Sequence, residues 1–286
     1  MRLIRWIPVS LALGAALLRW LMRIRPLRST PDPRPATSYA EAVERLARFQ
    51  ALVEAPIHPL CHTQLLSDGR RTKQVFILLH GFTNCPRQFE RFARLLQGQG
   101  ANVLNVRLPR HGMADRLTDQ LAWLTAEEMV GVTAEMIDIA HGLGEEVSLL
   151  GFSLGGSLAG WAAHHRRDLA AAILVAPAIG VRAVPYRRSR LLANLLVMLP
   201  NSFRWWDPLQ QDQRPGLEHA YPHFATRGLA ELLRIGCLVR HEAQTQAPVV
   251  GDIVVITNPC DEVVDNSAVA LTVRAWQQHG AQIHSL

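Results

Sequence analysis

The chain has 286 residues, 49% of them hydrophobic, which is enough for one sizeable core with an insertion. Its formal net charge is +6, but Arg2, Arg5, Arg19, Arg23, Arg25 and Arg28 all lie within residues 1–31, a segment without acids, so the remaining body is close to neutral. A basic leader on a neutral body argues against a nucleic-acid binder and for contact with a membrane.

The leader reads MRLIRWIPVSLALGAALLRWLMRIRP, and Trp6 to Leu18 is uncharged. With snorkelling arginines at both ends, Leu3 to Met22 has the roughly 20 residues that a bilayer span takes. The expectation is a retained membrane anchor over residues 1–24. The uncharged part has the length of a signal-peptide core, but LLRWLMRIR is a poor cleavage site. A helix lying on the membrane surface is the third option, disfavoured because the middle is apolar all round. Arginines flank both ends, so the side of the membrane stays open.

Pro26, Pro31, Pro33 and Pro35 predict an extended linker over residues 25–37. Ser38 and Glu41 have capping-box spacing and predict a helix to about Val53, opening a domain that runs from 38 to 286. Strands are then expected at 73–80, 102–108, 146–152, 170–179 and 252–258, with the start of another at 281–286. Helices are expected near 87–97, 125–142, 153–165 and 268–279. Continuous apolar strands alternating with helices predict an α/β fold, a mostly parallel sheet with helices on both faces. The alternation stops between Ile179 and Gly251. Residues 182–245 read as a mostly helical insertion, carrying LLANLLVMLP and FRWWDPL, that would sit over the ligand crevice as a cap.

Cys61, Cys85, Cys237 and Cys260 show no CxxC spacing and read as free or buried thiols. His58, Cys61 and His62 lie close together, but no second pair of ligands completes a zinc site, so no metal and no organic cofactor is expected.

The chemistry concentrates in three motifs. GFSLGG, Gly151 to Gly156, follows a strand and opens a helix, the context that G-x-S-x-G requires to lift a serine hydroxyl above a sheet. Ser153 is therefore the candidate nucleophile, at a helix N-terminus that favours a developing anion. LLHGFTN ends an earlier strand, as a loop donating to an oxyanion should. The main-chain N–H groups of Phe82 and Leu154 are the candidate oxyanion hole. His80 is expected to brace that loop rather than transfer a proton. ITNPCDEVVD follows a late strand, where an orienting carboxylate belongs. Asp261 is the first choice, Asp265 the fallback, and Asp252 lies at the wrong end of the strand.

These motifs resemble the α/β-hydrolase superfamily, in particular the carboxylesterase and monoacylglycerol-lipase-like serine hydrolases, over roughly residues 60–286. The resemblance implies the α/β-hydrolase fold, a helical cap at 182–245, Ser153 as nucleophile, Asp261 as its acid, and Phe82 and Leu154 as the oxyanion hole. NVRLPRHG resembles a further loop of the family, in which His111 is expected to be structural. One departure is serious. The family's catalytic histidine follows the last strand, whereas only His279 and His284 follow Asp261 here. His284 falls within the strand pattern, so the expectation is that the C-terminal end is truncated and the base lies beyond Leu286.

The resulting expectation is a membrane-anchored serine hydrolase acting on small-molecule carboxylic esters, preferentially with apolar acyl chains, through an acyl-enzyme. Peptidase and thioesterase chemistry use the same triad. The competing expectation is a non-catalytic, membrane-tethered binding protein with this fold and no histidine base.

Overall fold

The computed structural model describes residues 7–28, 30–52, 56–209 and 217–286. The N-terminal third holds α1 (Ile7–Leu21), α2 (Tyr39–Ala51), β1 (Gln64–Leu66), β2 (Thr72–Leu79) and α3 (Glu90–Gly98). The middle holds β3 (Asn102–Val106), α4 (Ala126–Leu143), β4 (Gly144–Phe152), α5 (Leu154–His165) and β5 (Ala171–Val175). Then follow α6 (Ser189–Met198), β6 (Phe203–Trp205), β7 (His223–Ala225), α7 (Thr226–Ala243), β8 (Ile253–Ile256), α8 (Asn266–Gln278) and β9 (Ile283–Ser285).

Seven strands form one sheet in the order β1-β3-β2-β4-β5-β8-β9. β1 is antiparallel to β3, and the other neighbours are parallel. This is the α/β-hydrolase fold that the motifs implied. β3 is buried at every position, as a strand covered on both faces must be. One face carries the main core, with α4, α5, α7 and α8 contributing Met129, Leu158, Val239 and Trp276. The opposite face is covered by α3, whose Ala93 and Leu96 meet Leu78, Val103 and Leu150. Further along that face, Ile173 and Val175 of β5 and Val254 and Ile256 of β8 stay half-buried, so cover is complete on one side and partial on the other.

The N-terminal segment differs from its expected role. α1 has 15 residues, about 22 Å of helix against a hydrocarbon core of about 30 Å. Among the described residues no helix is long and apolar enough to cross a membrane. The expected span Leu3 to Met22 begins outside the described residues, and its far end is taken up by the body. Leu21 is buried, and Asn194 Nδ2 of α6 donates to the carbonyls of Leu21 (2.7 Å) and Arg23 (2.9 Å). Arg25 pairs with Glu231 at 3.0 Å, and Arg234 Nη2 donates to the Pro26 carbonyl at 2.6 Å. The anchored localisation is therefore corrected: the arginine-rich end of the leader docks on the protein through polar contacts.

Residues after it run along the surface to α2. The main-chain N–H groups of Arg34 and Ala36 bond Asp138 Oδ2 (2.9 Å) and its carbonyl (2.8 Å). Ser38 caps α2 through Glu41 N–H, while the Glu41 carboxylate takes Thr37 instead of closing a capping box. Gly142 lets α2 approach α4, since a Cβ there would lie 2.5 Å from the Ser38 carbonyl. Asp138 also meets the fully buried Arg166, which bonds Asp138 and Asp168 at 2.6 Å each. A buried guanidinium flanked by two carboxylates is tolerated because neither charge is left alone.

A further correction concerns the cysteines. Cys61 and Cys85 form a disulfide with Cα atoms 5.2 Å apart, so only Cys237 and Cys260 are free thiols. Between β5 and β8 the chain is not purely helical: β6 and β7 pair antiparallel as a short ribbon between α6 and α7.

Buried neutral histidines make the fold acid-sensitive. Burial holds His164 down to about 4, with nearby Glu242 opposing the shift and His165 adding to it. Its Nε2 accepts the Trp276 indole N–H at 2.8 Å, a bond the protonated ring cannot accept. Burial also holds His111 down to about 4. Between pH 6.5 and about 4 the unfolded chain binds protons that the folded chain does not, so stability is lost as pH falls through this window. A thermal-melting series from pH 7 to 4 should show this decline. His164→Gln, which keeps an acceptor for Trp276 without titrating, should flatten it, whereas an unchanged slope would exclude His164 as a contributor.

Candidate active site

The sharpest local feature is the junction of β4 and α5. Ser153 has φ 53° and ψ −107°, outside the negative-φ range usual for a residue with a side chain. The turn is held from three directions. Ser153 N–H donates to the Val175 carbonyl of β5 at 2.9 Å, and the Ser153 carbonyl accepts from Ser157 (3.0 Å) and Ala178 (2.9 Å). Space explains the flanking glycines. A Cβ on Gly151 would lie 2.0 Å from the Gly155 carbonyl oxygen, and one on Gly155 2.0 Å from the Leu79 carbonyl oxygen. The result is a half-buried serine whose hydroxyl is not spent on capping its own helix.

The loop after β2 comes over this serine. Gly81 allows it: a Cβ there would sit 3.5 Å from Ser153 Cβ and 3.1 Å from the Phe152 ring. The loop is tied at nearly every residue. His80 is fully buried, with Nδ1 on the Gly81 carbonyl (2.8 Å) and Nε2 accepting Leu108 N–H (3.0 Å). Both ring nitrogens are thus used, and burial pushes its pKa well down, so it is a neutral brace. Gln88 Oε1 accepts Gly81 N–H at 2.9 Å. Thr83, with φ 63°, places its hydroxyl on the Phe82 carbonyl at 2.6 Å. Cys85 closes the loop through its disulfide to Cys61.

Among the described residues, the main-chain N–H groups of Phe82 and Leu154 donate to no other group. Unspent donors beside a half-buried hydroxyl suit a developing oxyanion.

The segment between β5 and β8 reaches the same loop. Trp206 Nε1 donates to Thr83 Oγ1 at 3.0 Å, and Tyr221 N–H donates to the Thr83 carbonyl at 2.8 Å. The Phe82 ring lies 6.0 Å from Phe224, which packs 4.7 Å from Trp206. The Tyr221 hydroxyl accepts Met113 N–H at 2.9 Å and donates to the Arg110 carbonyl at 3.1 Å. Thr83 lies within LLHGFTN without a role assigned from sequence, Gln88 and Tyr221 carry no motif, and only the aromatic run FRWWD marks the stretch that holds Trp206.

The acidic loop after β8 separates its two aspartates by role. Asp265 caps α8, its Oδ1 accepting Ser267 N–H at 3.0 Å. Asp261 Oδ1 accepts the N–H groups of Val263 and Val264, both at 2.8 Å. Arg182 Nη1 bonds the Asp261 carbonyl at 2.8 Å, tying this loop to the segment that follows β5.

No histidine among the described residues bonds Ser153. His279 ends α8. His284 pairs with Val254, which pairs with Ile173, which pairs with Leu150, three residues before Ser153. Three strand spacings and three residues of rise separate the His284 and Ser153 backbones by roughly 17 Å, beyond the reach of an imidazole. His111 is buried with Nδ1 on the Pro109 carbonyl at 2.7 Å, its Nε2 lacks a partner, and its ring meets Phe82 edge-on at 5.8 Å. Among the described residues no three His, Cys, Asp or Glu side chains are grouped to hold a metal ion.

Residues 76–285 match the family model described as the alpha/beta hydrolase family. No curated protein matches the chain in sequence. Among solved structures, one from a study of the metagenome-derived lipolytic enzymes LipS and LipT is similar over 80% of this chain and 89% of its own, at a TM-score of 0.60 and 20% identity. A monoacylglycerol lipase from Paleococcus ferrophilus is similar over 79% and 88%, at 0.58 and 16%. A soluble variant of monoglyceride lipase from Saccharomyces cerevisiae is similar over 82% and 87%, at 0.57 and 12%. At these identities the structural likeness is one of fold.

The elbow's packing gives a direct test. Gly155→Ala should destabilise the protein by about 3 kcal/mol or more, because its Cβ meets main-chain atoms that cannot turn aside. Chemical denaturation of the variant measures this, and a loss below about 1 kcal/mol would contradict the contact.

Proposed function

The chain belongs to the α/β-hydrolase family, and from that premise we propose that it is a serine hydrolase of carboxylic esters that works through an acyl-enzyme at Ser153. The observation that carries the proposal is the elbow. A non-glycine residue is held at positive φ between a strand and a helix, with its hydroxyl free. Strain of this kind persists where function uses it.

In this reading Ser153 Oγ attacks the ester carbonyl while an imidazole base, oriented by Asp261, takes the hydroxyl proton and returns it to the departing alcohol. The Phe82 and Leu154 N–H groups receive the oxyanion, and collapse of the tetrahedral intermediate expels the alcohol and leaves the acyl group on Ser153. Water, activated by the same base, then hydrolyses the acyl-enzyme. Asp261, the first aspartate after β8, is the orienting acid, its Oδ1 held by the Val263 and Val264 N–H groups, and Asp265 caps α8. Phe224 and Trp206, packed beside the oxyanion loop, favour apolar acyl chains. The lipolytic and monoacylglycerol-lipase relatives in fold are consistent with such a substrate.

A second reading has its own support: a protein with this fold that binds esters without cleaving them. It is favoured by the lack, among the described residues, of an imidazole within reach of Ser153.

The two separate in hydrolysis of p-nitrophenyl acetate, butyrate and decanoate by the 286-residue chain, with and without added imidazole as an external base. The hydrolase reading expects turnover that rises with acyl length, is stimulated by imidazole, and falls to the buffer rate in Ser153→Ala. Folded protein that stays at the buffer rate under all conditions supports the binding reading. Equal rates in wild type and Ser153→Ala would remove Ser153 from the chemistry.

A further inference from the structure

Away from Ser153, Met22, the turn Tyr186–Arg188 with the start of α6, and the C-terminal parts of α7 and α8 line a half-open cavity of about 450 Å³. Arg187, Arg190, Arg240 and Arg274 line it, together with Tyr186, and no Asp or Glu does. None of the four takes part in an ion pair among the described residues, although eight other arginines of the chain do. Arg240 is the most telling. It is only 7% exposed, its Nη2 reaches the Cys237 sulfur at 3.1 Å, and its buried Nη1 has no acceptor. Arg187 and Arg240 both lie over the Tyr186 ring, at 5.8 and 5.9 Å from its centroid. Arg274 reaches only the Ala270 carbonyl of its own helix, at 3.3 Å.

Four guanidinium groups around one cavity repel each other, and a buried guanidinium nitrogen left unbonded is costly. A single aromatic face offsets this only partly. An anion would give Arg240 Nη1 its missing acceptor and neutralise the other three, of which Arg187 and Arg274 are exposed and Arg187 Nε already donates to Tyr186 Oη at 3.1 Å.

We propose that this cavity is a binding site for a phosphate group. Guanidinium forks match the oxygens of phosphate in pairs, and a doubly charged tetrahedral group suits four cations better than a carboxylate does. The volume lies within the range of ligand sites and leaves room for an organic body against Tyr186. The phosphate belongs either to a soluble phosphorylated metabolite or to a phospholipid headgroup. The site is independent of the ester chemistry, since none of Ser153, Phe82, Leu154 or Asp261 lines it.

The test uses the full chain at constant ionic strength set with chloride. Titration with inorganic pyrophosphate and with ribose 5-phosphate should raise the melting temperature saturably, and Arg187→Gln, Arg190→Gln and Arg274→Gln should each weaken binding about tenfold. Arg94→Gln, on the surface of α3, should leave it unchanged. Arg240→Gln should abolish the shift while leaving the ligand-free protein as stable or more stable, because it removes an uncompensated buried cation. Cosedimentation with phosphatidylcholine vesicles containing phosphatidic acid, lost in Arg187→Gln, would assign the phosphate to a lipid. Binding of ribose 5-phosphate without cosedimentation would assign it to a soluble metabolite. No saturable shift with either soluble probe and no cosedimentation would overturn the site. So would equal binding in all three surface variants, or a ligand-free Arg240→Gln that melts well below wild type while the probes still bind it.

Discussion

The structure depends on one close approach. The first turn of α5 lies against the end of β2, so near that the Leu79 carbonyl occupies the space where a Gly155 side chain would begin. Gly151 makes the matching concession beneath it. Because the helix starts this close to the sheet, the chain must reverse within one residue, and that residue is forced to positive φ. Ser153 thus stands clear of its own helix, beside the loop that leaves β2. A bulkier residue at either glycine would move the helix away and let the serine relax into an ordinary cap.

The loop over Ser153 is held by groups from distant parts of the chain. His80 works as a neutral hydrogen-bonding post, and its burial is what keeps it neutral. Trp206 and Tyr221 bring the segment between β5 and β8 onto Thr83, whose hydroxyl rests on the Phe82 carbonyl. The Phe82 N–H shares its peptide plane with the Gly81 carbonyl, which His80 Nδ1 holds, while the next plane, carrying the Phe82 carbonyl, is tied through Thr83 to Trp206. The Cys61–Cys85 disulfide fixes the other end of the loop to the segment ahead of β1. A preorganised donor needs this kind of support, since a donor that reorients during reaction loses most of its advantage.

The parts legible in the sequence were those set by local pattern. The parallel strands announce themselves as apolar runs, and GFSLGG is readable because its glycines, its strand and its helix are contiguous. What escaped depends on partners far apart in the chain. The Thr83–Trp206 bond joins residues 123 positions apart, and nothing in four unpatterned cysteines says which two meet. The three-residue edge strand β1 is too short to carry a period. The leader misled for a related reason. Its apolar count fits a membrane span, but its arginine-rich end has partners in Asn194, Glu231 and Arg234, roughly 170 to 210 positions away, that no local window contains. His284 follows Asp261 in the chain, as a triad histidine should, but strand register separates it from Ser153.

The central claim is that Ser153 is a nucleophile and not merely a tightly packed turn residue. Intact-mass measurement of the 286-residue chain after exposure to p-nitrophenyl butyrate, with peptide mapping, tests it most directly. An increment of one butyryl group located on Ser153, absent in Ser153→Ala, is the predicted result, and since no imidazole among the described residues lies within reach of Ser153, slow deacylation would let it accumulate. Unmodified Ser153 in folded protein, or acylation confined to lysine and other surface groups, would contradict it.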